Sequence, residues 1–146
     1  MYVPAHFAAP NLAGPSLAAC HQVIDANSFG AFVSVIDGAP FSTHIPFLLD
    51  PDRGKFGTLL GHVAAANPHS RALESTTPSL AIFQGPHCYV SPSWYDSPLM
   101  VPTWNYVAVH ATGATRIISD ANSVRAYLER LSETHESKIG GTFTLA

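Results

Sequence analysis

Eight histidines and two cysteines are the side chains of this 146-residue chain best suited to metal, nucleophile or proton chemistry. The histidines (His6, His21, His44, His62, His69, His87, His110 and His135) include no HxH, HxxxH or HExxH pair. A closed zinc site draws its ligands from short, fixed spacings, so this distribution argues against one. A single axial histidine on a haem iron needs no such spacing and stays open. Cys88 follows His87, which would suit a thiol and its base. Neighbours on a strand point to opposite faces, however, so Cys88 reads as a small buried hydrophobe. Cys20 and Cys88 form no CxxC motif and are expected as free thiols of a cytoplasmic protein. No GxSxG, Walker or GxGxxG pattern occurs. "GHVAAANP" (61–68) lacks the glycines of a phosphate cradle, although a helix starting near Pro68 would offer free N–H groups to an anion.

A different pattern is more informative. Ser42, Thr43, His44, His62, Gln84, Tyr89, Thr103, Asn105 and His110 are polar residues set within apolar stretches. Each alone suits a satisfied core or interface group. As a set they suit a flat aromatic cofactor, with hydroxyls and amides addressing its polar ring edges. Between them runs "SPSWYDSPLMVPTWNY" (91–106), which holds both tryptophans and only one formal charge, Asp96.

The elements that must position these residues follow from periodicity and turn chemistry. Leu17, Cys20, Val23 and Ile24 repeat at helical spacing, with Ser16 as N-cap and Asn27 as stop. Asp37-Gly38 divides the next stretch into two hairpin strands, and Pro46 in the second marks an edge or a bulge. "DPDRG" (50–54) is a turn. "GTLLGHVA" reads as a strand and "NPHSRALES" (67–75) as a short helix capped by Asn67. "SLAIFQG" and "HCYVS" form the next strand, and "TWNYVAVHATG" (103–113) another, with "TRIIS" (115–119) returning. A last helix spans 120–136, with Val124, Tyr127, Leu128 and Leu131 on one face and Asp120 as cap. "GGTFTLA" is a short strand or a tail. Strands in hairpin order with marginal helices predict one domain, mainly β, built as a small antiparallel barrel.

Composition narrows the function. Hydrophobic residues make up 47% and charged residues 12%, so the chain folds, and part of its surface is expected to be covered by a subunit or a cofactor. The net charge is −3 and the seven Lys and Arg residues are scattered. Duplex-binding proteins gather such cations on one face, so no direct DNA-binding motif is seen. The start "MYVPAHF" has neither the charged nor the apolar region of a signal peptide. No apolar run is long enough for a membrane span.

Five stretches, "MYVPAHF", "STHIPFLLD" (42–50), "GHVAAANP", "IFQGPHCYVSPSWY" (82–95) and "VPTWNYVAVHATG" (101–113), resemble the PaiB family in order and spacing. That family is described as FMN-binding negative transcriptional regulators. The resemblance implies a split β-barrel of the pyridoxamine-phosphate-oxidase-like kind with flanking helices. It implies a cytoplasmic homodimer with FMN at the subunit interface, acting in transcription or redox sensing. On the matching motifs it implies Thr43, His44, His62, Asn67, Gln84, Tyr89, Ser91, Trp94, Thr103, Trp104 and Asn105 as cofactor-binding residues. Catalytic residues are not assigned, and whether the protein is an enzyme stays open.

The chain departs from the family pattern at three places. Ala65 and Ser70 stand where relatives usually carry Arg or Lys and often Trp. "DSPLM" (96–100) lacks the cations of a longer basic loop. The chain ends before a C-terminal segment with a Lys-x-Ser-Gln-Asn motif, so 1–146 is expected to be a single split-barrel domain without it. Fewer cations imply weaker hold on the flavin phosphate. Two alternatives follow: a haem b enzyme resembling the piperazate synthases, with His62 as axial ligand and His44 second, or a cofactor-free dimeric interaction module.

Overall fold

Asp37-Gly38 sets the register of the first two strands. Both residues adopt positive φ, 51° and 79°, as a two-residue type I′ hairpin requires. Strand β1 (Phe29–Ile36) therefore folds straight back on β2 (Ala39–Asp50), with Ile36 opposite Ala39 and Phe29 opposite Pro46. The computed structural model describes residues 16–72, 77–97 and 99–145. The opening "MYVPAHF", including His6, and part of the helix expected over 67–75 lie outside the described residues.

Helix α1 (Leu17–Ala26) begins where Ser16 accepts a hydrogen bond from the Ala19 amide at 3.2 Å and ends at Asn27. Replacing Ser16 by Ala is expected to cost about 1 kcal/mol through the orphaned amide, read as a small Tm drop. Strand β3 (Thr58–Gly61) returns beside β2 after the turn at 51–57. Helix α2 (His69–Ala72) starts with the Asn67 side chain accepting from the His69 amide at 3.0 Å. Strand β4 (Ser79–Val90) pairs with β1 on one side and with β5 (Thr103–Gly113) on the other. A register irregularity between Gln84 and His87 brackets Pro86, which has no amide to give the ladder. A 3₁₀ turn at Pro92–Trp94 precedes the β4–β5 connection.

The sheet is antiparallel throughout, in the order β3-β2-β1-β4-β5. It is open, and the expected split barrel does not form: β3 and β5 stand at opposite edges. The physical reason lies at both edges. Strand β3 is only four residues long, and "TRIIS" (115–119), expected to return as a further strand, is irregular. Nothing among the described residues bridges the edges, and a barrel needs every strand paired on both sides. The architecture is α+β, an open sheet with α1 and α2 packed on one face.

That face is set by alternation. Gly30, Phe32 and Ser34 of β1, Ile45, Phe47 and Leu49 of β2, and Ser79, Ala81 and Phe83 of β4 turn inward beneath Ile24 of α1. Phe83 is fully buried, its ring 5.3 Å from that of Phe47 at 68°. Gly30 permits this closeness, since a Cβ there would stand 2.9 Å from the Ile82 carbonyl oxygen and 3.0 Å from the Phe83 ring. Ser34 and Ser79 satisfy each other across β1 and β4 at 2.8 Å.

Helix α3 (Ala121–Ile139) is capped by Asp120, which accepts from the Ser123 amide at 2.9 Å and is held below the usual carboxylate range by that bond. It ends at Gly140 in the left-handed conformation. The face expected from Val124, Tyr127, Leu128 and Leu131 is only partly covered; no residue of the helix is fully buried. Polar contacts reach from it to neighbouring backbone instead: Arg130 Nη2 to the Leu49 carbonyl at 3.5 Å and Lys138 Nζ to the Asp25 carbonyl at 3.4 Å. No helix among the described residues is long and apolar enough to cross a membrane.

Candidate functional site

The face of the sheet turned away from α1 and α2 is bare along β4 and β5. Position by position, Ile82 faces His110, Gln84 faces Ala108, His87 faces Tyr106 and Tyr89 faces Trp104. Alternation along β5 puts Trp104, Tyr106, Ala108 and His110 on this one side. Ile82, Gln84, Tyr106, Ala108 and His110 line an open depression of about 310 Å³. Beyond it the rings continue, Trp104 lying 5.9 Å from Tyr89 at 67° and 6.3 Å from His87. Trp104 and Tyr106 are more than half exposed. The arrangement offers an apolar, aromatic floor with an amide and an imidazole at its rim. It contains no Lys or Arg.

The residues expected in one cofactor site divide among several places. Gln84, Tyr89 and Trp104 share the bare face. His44 is also exposed on that face but lies on β2, with Phe29 6.0 Å away. Thr43 points to the opposite, helix-covered face, where Asn67 donates to its hydroxyl at 3.1 Å. Strand alternation forces that separation of Thr43 from His44. Thr103 and Asn105 alternate away from Trp104 and pair with Val90 and Cys88. Cys88 is exposed rather than buried, because the sheet here extends past the covering helices. Ser91 caps the 3₁₀ turn, accepting from the Ser93 amide at 3.2 Å, and Trp94 is largely exposed beside it. His62 stands at the end of β3, against Tyr127 of α3.

The family-implied set left out Ile82, Tyr106, Ala108 and His110, although His110 already stood among the polar residues suited to a flat cofactor. The strict alternation of "WNYVAVH" could have found three of them, since every second residue from Trp104 faces the same way. The role of Tyr127 beside His62 had no such signal, because it depends on where α3 docks. Burial pushes the Tyr127 phenol up to about 12. Among the described residues no group of His, Cys, Asp and Glu is placed to hold a metal.

Residues 1–145 match the family described as "Putative FMN-binding domain". The chain is 33% identical over 142 residues to "Protease synthase and sporulation protein PAI 2" of Bacillus subtilis (strain 168), covering 95% of this chain and 65% of that protein. It is 32% identical over 154 residues to the uncharacterized protein AN0679 of Emericella nidulans, covering 81% and 61%. An 84-residue stretch is 38% identical to the uncharacterized protein YKL070W of Saccharomyces cerevisiae. The chain thus spans under two thirds of the length of the first two relatives. By the extent of the match and the likeness to PAI 2, the chain belongs to this FMN-binding domain family.

Proposed function

We propose that the bare β4–β5 face is half of a flavin site, completed by a second copy of the chain. The depression lined by Ile82, Gln84, Tyr106, Ala108 and His110 carries this reading. Its floor suits the isoalloxazine plane, and Gln84 can both donate to and accept from the polar edge of the ring. The depression is open, so one chain supplies a single wall. Monomers rarely leave so much contiguous apolar surface to water, and Tyr89 and Trp104 continue it. A second copy would close the site and bury those rings. The fit is to the ring system; the phosphate finds no cation in the lining.

Flavin bound there would supply electron-transfer chemistry, while the protein would contribute stacking surface, edge hydrogen bonds and exclusion of water. A role resembling the regulatory one described for PaiB proteins would then act through flavin-dependent contacts with other macromolecules, because the cations are too scattered to track a phosphate backbone.

Titration of the purified protein with FMN and with riboflavin tests the reading. Both are expected to bind with quenched flavin fluorescence, and their affinities are expected to agree within about tenfold. A charge-assisted hydrogen bond to the phosphate, worth about 1.5–3 kcal/mol, would separate them further. Trp104→Ala is expected to weaken both equally. No binding of either flavin at micromolar concentration overturns the reading, and a Soret band in the isolated protein would move it to haem.

A further inference from the structure

Helical geometry puts Arg130, Thr134 and Lys138 on successive turns of one side of α3. With His135 they line a second cavity, of about 90 Å³, whose other walls are the end of α1 and the inner end of β2. It shares no residue with the β4–β5 depression. Both cationic heads stand at this cavity. Arg130 Nη2 lies 3.5 Å from the Leu49 carbonyl oxygen and Lys138 Nζ lies 3.4 Å from that of Asp25, and both acceptors belong to lining residues. The two cations rise from the helix about 12 Å apart along its axis, a gap that two long side chains and one small anion can fill.

Those carbonyl contacts are at the long end for a hydrogen bond. A guanidinium and an ammonium each carry several N–H donors, so one long contact leaves most of them open. Among the described residues neither cation is paired with a carboxylate; the ion pair on this helix joins Arg125 and Glu129, outside the cavity. His135, on the same wall, has an Nε2 that is closed to water and without a hydrogen-bond partner among the described residues. A buried polar atom in that state points to a bound ion or water. The formal balance of the lining, Arg130 and Lys138 against Asp25, is positive. The cavity is also small beside the roughly 300–1,000 Å³ of pockets that take drug-sized ligands. We propose that it is a binding site for a small tetrahedral oxyanion, phosphate or sulfate, held between Arg130 and Lys138 with His135 Nε2–H as a third donor. A bound anion there ties α3 to α1 and β2 by charge-assisted hydrogen bonds, where the protein alone has two long contacts to carbonyls.

Titration with inorganic phosphate at constant ionic strength, read by thermal unfolding and by the His135 ring ¹⁵N signals, tests the site. Phosphate and sulfate are expected to raise Tm saturably and to shift those signals, and chloride at equal ionic strength is expected to do neither. Arg130→Gln and Lys138→Gln are each expected to weaken phosphate about tenfold or more. Asp25→Asn, at an exposed position, is expected to tighten it severalfold by removing the opposing charge. Arg125→Gln takes a cation from the same helix away from the cavity and is expected to leave the affinity unchanged. Glycerol phosphate separates the sources: tighter binding than inorganic phosphate assigns the site to an esterified phosphate, weaker binding to the free ion. No saturable shift with phosphate overturns the proposal. Equal weakening in Arg125→Gln and Arg130→Gln also overturns it, since that is diffuse attraction of an adventitious ion only. If loss of either cavity cation loosens α3, seen in its amide signals, Asp25→Asn decides, and an unchanged affinity there overturns the site. No flavin is added and no residue of β4 or β5 is altered, so failure here says nothing against the flavin reading.

Discussion

Phe83→Ala is expected to destabilise the protein by about 3–5 kcal/mol, the range for removing a large aromatic side chain from a packed core. Phe83 is fully covered, and its ring packs on Phe47 and beneath the glycine at position 30. The hole could not collapse easily, because its walls are strand backbone held in register on both sides of β4. Chemical denaturation would show the midpoint falling with little change in slope. Trp94→Ala is the control: that ring is largely exposed, and the expected change is within about 0.5 kcal/mol. Similar losses for the two variants would mean that the inward face of the sheet is not where the core lies.

The second large effect concerns His69. Its ring is fully covered, lies 4.8 Å from Phe32 and 4.9 Å from Phe41, and neither nitrogen has a well-formed hydrogen bond among the described residues. Burial lowers its pKa below the ordinary 6.5, with the nearby Phe32 backbone drawing it only partly back. The sign of the pH dependence follows. As acid is added, the unfolded chain takes up a proton on this imidazole near its ordinary pKa, while the folded protein resists. The unfolded state therefore binds more protons in that window, so stability falls as pH drops below about 6.5 and is level above it. His69→Leu is expected to flatten this acid slope. At neutral pH it is expected to leave stability equal or raised by up to about 1–3 kcal/mol, since a buried polar atom without a partner is a cost. Urea midpoints measured from about pH 7.5 to about pH 5 would show it. An unchanged slope in His69→Leu would mean that the imidazole is already protonated or solvated in the folded state.

Local chemistry made much of the secondary structure legible. Ser16 and Asp120 read correctly as helix caps, because a cap needs only its own side chain and the next few amides. Asp37-Gly38 read correctly as the hairpin turn, because its two residues alone supply the positive φ. Barrel closure was not legible, since it depends on whether two distant edges meet. Residues 115–119 have the composition of a strand and lie in an irregular segment all the same. Strand propensity expresses itself only where a partner and a face to cover are available.

The candidate site divides in the same way. Composition alone raises the expectation that part of a charge-poor surface is covered, and the alternation of β4 and β5 gives which side chains share the bare face. What the sequence by itself determines is which residues can form helices, strands and turns, because those choices are settled over a few residues. Tertiary structure alone decided that the sheet stays open, that the face carrying Thr43 is the helix-covered one, and that Tyr127 reaches His62. Each of these depends on contacts between segments far apart in the chain, whose geometry no local pattern of residue types can encode.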